Sequence, residues 1–146
     1  MSLEGGCRCG GVRYELASDD LPLTYACHCL DCQTWSGSAF ALHAIVAQNA
    51  LSIEGSVHDF RLPEGQEARP SDHIGCAVCL TRIVNRNEAL PNMLVLRVGT
   101  LDRSRDVSPA VHIWTRQKQE WLTIDDSTPT FEVSPTPAEF AAALSG

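Results

Sequence analysis

Long apolar runs are missing from this 146-residue chain. None approaches the roughly 20 residues that span a bilayer, which excludes a helical membrane protein. Basic residues are scarce: 11 Lys+Arg stand against 18 Asp+Glu, for a formal charge of −7. Affinity for nucleic acid comes mainly from cations that neutralise phosphates, so neither nucleic acid nor a membrane is an expected partner. The start, MSLEGGCRCGG, lacks the apolar stretch of a secretory signal, and a cytoplasmic location is expected. No repeat, low-complexity tract or linker divides the chain, so one domain over residues 1–146 is expected. These features leave the oligomeric state open.

Strand signals are what the sequence does contain. Val12, Tyr14 and Leu16 alternate with Arg13 and Glu15, the pattern of a half-buried strand. Ala39 to Val46 reads as a strand buried on both faces. His58, Phe60 and Leu62 alternate with Val57, Asp59 and Arg61, Met93 to Val98 is the clearest core strand, and Thr81 to Asn85 and Val111 to Trp114 are shorter candidates. Pro63 to Ser71 reads as a polar, mobile loop. One helix has a start signal: Thr136 caps, Pro137 occupies the first turn, and Glu139 completes a capping box before the apolar Phe140 to Leu144. The expected fold class is mainly β, with small antiparallel sheets and a short C-terminal helix.

Seven cysteines fall into three clusters: Cys7 with Cys9, Cys27 with Cys29 and Cys32, and Cys76 with Cys79. In a cytosolic chain such spacing points to metal or catalysis before disulfides, and an odd number cannot all pair internally. Close spacing lets neighbouring thiolates aim at one ion. A structural zinc site takes four tetrahedral ligands, whereas a catalytic one keeps three protein ligands and an open position. Seven is the count for one site of each kind. Cys7 and Cys9 precede one strand and Cys76 and Cys79 precede another, so these two loops together make a closed four-cysteine site. Cys27, Cys29 and Cys32 are left with no fourth cysteine, and the chemistry is expected there. An iron–sulfur cluster is the competing reading, although the spacing does not match the ferredoxin runs. The H-x-E and P-C-x-x-C pattern of zinc nucleobase deaminases is absent.

Three thiolates on one Zn²⁺ leave a net negative site. Such an ion is a weaker Lewis acid than one held by neutral histidines, so hydrolysis by zinc hydroxide is not the first choice. A sulfur-rich site suits a small substrate thiol, held deprotonated and ready to attack an aldehyde. Near these motifs the cations available to an anionic substrate are Arg8, Arg82, Arg86, Arg116 and Lys118.

The stretches GGCRCGGVRYEL, CHCLDCQTWSGSAF, GCAVC, VGTLD and HIWTRQKQEW run in order over nearly the whole chain. With them the chain resembles the glutathione-dependent formaldehyde-activating enzyme family, whose domain also occurs in centromere protein V. The resemblance implies a "β-tent" fold of sheets stapled by zinc. It implies two zinc ions per chain: a structural one on Cys7, Cys9, Cys76 and Cys79, and a catalytic one on Cys27, Cys29 and Cys32. It also implies a carbon–sulfur lyase that reversibly joins glutathione and formaldehyde into S-hydroxymethylglutathione. A non-catalytic zinc-binding interaction module is the alternative, and a redox or metal-trafficking protein is a third class. Leu80 departs from the family, which usually has glycine there. Glycine permits a left-handed turn that leucine resists, so a slightly distorted structural site is expected.

Other residues carry a sharp and a bland reading. His28, between two ligand cysteines, is a proton shuttle or a loop residue facing solvent. His112 lines the site or is a buried structural histidine. Gln33, Ser36 and Gly37 orient the 27–32 loop or touch substrate. Asp102 reads as a turn former, and Trp114 and Trp121 as core or pocket wall. His43, His58 and His73 show no metal spacing and are read as structural.

Overall fold

A computed structural model describes residues 1–146. In chain order the strands are β1 (Leu3–Gly6), β2 (Val12–Leu16), β3 (Thr24–Cys27), β4 (Ala41–Ala47), β5 (Leu51–Gly55), β6 (Val57–Leu62), β7 (Ser71–Cys76), β8 (Arg82–Arg86), β9 (Met93–Arg97) and β10 (Val111–Ile113). Helix α1 (Leu30–Ser36) follows β3, and α2 (Pro137–Ser145) closes the chain. Strands β1, β2 and β5 form a small antiparallel sheet. The other seven form one sheet in the order β10-β3-β4-β9-β8-β7-β6. That sheet is larger than the pattern suggests, and β10 joins β3 in parallel.

The alternation in β2 places Val12, Tyr14 and Leu16 inward and Arg13 and Glu15 outward. The inward three meet Ala44, Val46, Val84, Leu94 and Leu96 from the large sheet, which makes the main core. Burying a side chain the size of Leu96 or Ile83 contributes about 1.5–3 kcal/mol. Gly55, with φ +117, ends β5 where a Cβ would collide with the Gly11 carbonyl oxygen. Only glycine lets β5 pair that closely with the start of β2.

The large sheet therefore has two unlike faces. Ala44, Val84 and Leu96 lie in register on the core side. On the other side the register carries Tyr25, His43 and Arg97 across three strands, and Cys27 sits two residues from Tyr25, on the same face. A register shift between Ile74 and Gly75 sets Arg82 opposite Gly75, on the face of His73. A bulge of this kind re-aims a side chain. Helix α2 closes part of this second face, with the Phe140 ring edge-on to Tyr25 at 4.9 Å. Its Thr136 and Glu139 form the expected capping box.

Candidate functional site

The turn between β1 and β2 and the turn between β7 and β8 face each other. The sulfurs of Cys7, Cys9, Cys76 and Cys79 all lie within 4.8 Å of one another. Cys7 and Cys9 Sγ are 3.5 Å apart, and Cys9 and Cys76 Sγ 3.7 Å. With Zn–S near 2.3 Å, tetrahedral sulfurs stand about 3.8 Å apart, so the cluster has the right size. Each sulfur is also solvated as a thiolate would be. Val12 N–H donates to Cys7, Gly11 N–H to Cys9, and Val78 and Cys79 N–H to Cys76. Thr81 Oγ1 lies 3.1 Å from Cys79 Sγ. Donors of this kind stabilise sulfur in its charged form. Leu80 itself takes the left-handed conformation, φ 64, and its N–H reaches the Cys76 carbonyl. The turn expected to resist a leucine forms, and the four sulfurs stay together.

The second cluster grows from the end of β3 into α1. Cys27 is the last residue of the strand, Cys29 is the N-cap of the helix, and Cys32 sits in its first turn. Their sulfurs also lie within 4.8 Å of one another. Cys29 Sγ accepts the Cys32 N–H, the bond an N-cap side chain makes. Hydrogen bonds from the Cys27 and Cys32 thiols, and that N–H, lower the Cys29 pKa to about 3. Contacts with Cys29 and with Cys32, together with burial, push Cys27 up. One sulfur thus carries negative charge and its neighbours share it. Both cysteine clusters could hold a metal ion.

The surroundings of α1 correct two readings. His28 is fully buried and does not face solvent. Its Nε2 stands 2.8 Å from Nδ1 of half-buried His112, and its Nδ1 has no partner. The loop at 63–71 is tied down rather than free. Asp31 accepts backbone N–H bonds from Gln66, Glu67 and Ala68 at 3.0, 2.7 and 2.9 Å. Gly65 is needed in that clasp, because a Cβ there would lie 2.6 Å from Asp31 Oδ1.

Gln33 orients the loop, as one reading had it. Its amide donates to the carbonyls of His28 and Gln117. Gly37 ends α1 at φ 67, and Ser36 Oγ bonds the Phe40 carbonyl. Asp102 forms a two-point ion pair with Arg13, one bond being 3.0 Å. Trp121 is 71% exposed, so it is not core; Trp114 Nε1 donates to Ser134. His43 and His73 are buried, whereas His58 is exposed.

A pocket of about 480 Å³ opens on the sheet face that carries Cys27, lined among others by Trp35, Phe40, Ala41, Arg82 and Arg97 and by none of the three cysteines. Ala41 is the register partner of Cys27, and the Phe40 ring packs on His28 at 5.2 Å. Sequence reasoning named Arg82 but missed Arg97. Its signal was a lone cation ending the apolar run MLVLR.

The family profile described as glutathione-dependent formaldehyde-activating enzyme matches residues 2–117. The chain belongs to this family. A Halomonas elongata protein named "Putative glutathione-dependent formaldehyde-activating enzyme" is 23% identical over 129 residues, which cover 86% of this chain and 82% of the relative. The crystal structure of a Rhodobacter sphaeroides protein is similar in fold, with a TM-score of 0.52 at 19% identity, over 73% of this chain and 98% of that one. Membership agrees with two preorganised cysteine clusters. No helix is long and apolar enough to cross a membrane.

Proposed function

We propose that this chain is a zinc-dependent carbon–sulfur lyase of one domain that acts, in the cytoplasm, on the adduct of a glutathione-like thiol with formaldehyde. The observation that carries the reading is the three-sulfur cluster of Cys27, Cys29 and Cys32, one strand from a pocket that Ala41, the register partner of Cys27, helps to line. Four sulfurs close a site; three leave a place for a substrate. The proposed metal count is two zinc ions per chain. Bound at the open cluster, zinc would supply the positive charge that keeps an incoming thiol deprotonated at neutral pH.

The protein's own groups do the rest. Cys29 and Cys32 are held by the first turn of α1, and Gln33 ties that turn to the 117 backbone. A substrate thiolate adds to the aldehyde carbon: the C–S bond forms and the C=O π pair moves to oxygen, which takes up a proton. His28 and His112, one hydrogen bond apart, are the proposed carriers of that proton. In the reverse direction the proton leaves the hydroxyl and the C–S bond breaks.

A pocket one strand from the cysteines favours this reading over a non-catalytic zinc module, which would present a flat surface there. Elemental analysis during graded chelation, paired with calorimetry of glutathione binding in buffers of different ionisation enthalpy, tests it. Two zinc ions leaving in separate steps, and close to one proton released per glutathione bound, are expected. A fully metallated protein that neither binds glutathione nor releases a proton would favour the interaction module.

A further inference from the structure

Two arginines line the pocket without an acid. Arg97 donates from Nη2 to Asn85 Oδ1 at 2.7 Å, while its Nε and Nη1 are shielded from water and have no partner. Arg82 stacks its guanidinium 4.4 Å from the Trp35 ring centre. Its Nη1 lies 3.5 Å from His73 Nδ1, and its Nε is shielded and unpartnered. The arginines that form ion pairs in this chain are Arg13, Arg61 and Arg103, never Arg82 or Arg97. In a protein of net charge −7, two half-buried guanidinium groups on one face without a carboxylate are out of keeping with the rest of the surface. Buried cations are costly unless paired and hydrogen-bonded. Burial lowers the pKa of both, Arg82 to about 8 and Arg97 to about 10.

The three cysteines offset only part of this charge. With zinc bound, three thiolates would carry one negative charge against two positive arginines. A substrate thiolate at that cluster would bring it to two negative charges, level with the two arginines, so a monoanionic carboxylate disturbs the balance less than a phosphate would. Three guanidinium nitrogens have no partner in the fold, and charge-assisted bonds from guanidinium to carboxylate are among the strong ones. Trp35 and Phe40 supply apolar wall for the carbon chain between carboxylate and sulfur.

We infer that Arg82 and Arg97 form a carboxylate subsite that selects thiol substrates bearing an acid group a few bonds from the sulfur. The inference rests on the thiol reading of the neighbouring cysteines and assigns the specificity of that site to these two residues. The subsite fits either a terminal carboxylate of a glutathione-like peptide or a short mercapto acid.

The test is calorimetry on the zinc-loaded protein with 3-mercaptopropionate and its neutral isostere, 3-mercaptopropionamide. The wild type should bind the acid about tenfold or more tightly than the amide. Arg82→Gln should bring the two within about twofold by weakening the acid far more than the amide, and Arg82→Lys should keep part of the preference. Ser38→Asp, at the pocket's exposed lip, should weaken the acid alone; it guards against an Arg82 variant that fails to fold. Equal binding of acid and amide by the wild type would overturn the inference, as would equal loss of both in Arg82→Gln. Inorganic phosphate competing better than propionate would overturn the carboxylate assignment. If propionate binds through Arg82 and a thiol adds no affinity, the subsite stands and the thiol reading falls. If thiols bind without regard to charge, the reverse holds.

Discussion

Nε2 of His28 and Nδ1 of His112 meet at 2.8 Å although 84 residues separate them. Parallel pairing of β10 with β3 sets this contact, since Ile113 lies opposite Cys27 and its carbonyl accepts the His28 N–H. Burial first, then His112 and Lys118, holds the His28 pKa down to about 4, so the pair is neutral at pH 7 and shares one proton. Removing either ring strands a polar atom of the other. His28→Ala and His112→Ala should therefore be non-additive, with a coupling of about 1–2 kcal/mol in denaturant unfolding. Simple additivity would mean that the contact contributes nothing to stability.

The two cysteine clusters should differ in what they hold together. Cys7 and Cys76 are distant in sequence, and their cluster links two loops across the core; Cys27 to Cys32 lie within one short segment. Cys76→Ser should cripple soluble expression, and Cys29→Ser should mainly remove thiol binding. Melting temperatures decide between the two roles, and equal destabilisation would contradict the division.

Leu80 holds φ 64 with its side chain 79% exposed, so it bears backbone strain with little packing in return. Leu80→Gly should raise stability by about 0.5–1 kcal/mol, the strain relieved less the entropy that glycine adds to the unfolded chain. Urea unfolding at saturating zinc measures it. A loss of stability would show that the leucine's contacts outweigh the strain.

Asp31 gathers three N–H groups of the 66–68 turn. Asp31→Ala should speed hydrogen exchange at Gln66, Glu67 and Ala68 and cost about 1 kcal/mol, since the bonds are near solvent. Gly65→Ala should produce the same exchange pattern by steric displacement of the carboxylate. Unchanged exchange in both variants would mean that the clasp is not what orders the loop.

His73 gives stability a pH dependence. Burial, then Arg82 and Arg97, lowers its pKa to about 3, against the ordinary 6.5. The unfolded chain binds the proton first, so this contribution is whole above about pH 6.5 and is lost as pH falls toward 3. Between pH 7 and pH 5 the loss is about 2 kcal/mol. His73→Gln should be less acid-sensitive than the wild type by that amount, and parallel stability curves would disprove it.

Much of the site was legible because ligand spacing is a local property. Cysteines two and three positions apart converge whatever fold surrounds them, and the T-x-x-E box names its helix start for the same reason. Helix α1 escaped notice because its seven residues bury none of their side chains, leaving no apolar period to read. Strands β1, β3, β5 and β7 escaped because four to six residues with glycine, alanine or polar side chains give little alternation. Asp31 carried no signal in the sequence, since its partners lie more than thirty positions away.

The sequence by itself determined the chemistry on offer: seven soft ligands in three tight groups, within an acidic, mainly β chain. Only the tertiary structure decided what that chemistry faces. In a β-sheet a shift of one residue moves a side chain to the opposite face. Arg82 lies on the face of His73 because of the slip between Ile74 and Gly75, and Arg97 lies there because it pairs with His43. Strand pairing is a non-local choice, made by the whole core at once. The spacing of one segment therefore could not show that two arginines stand beside three cysteines.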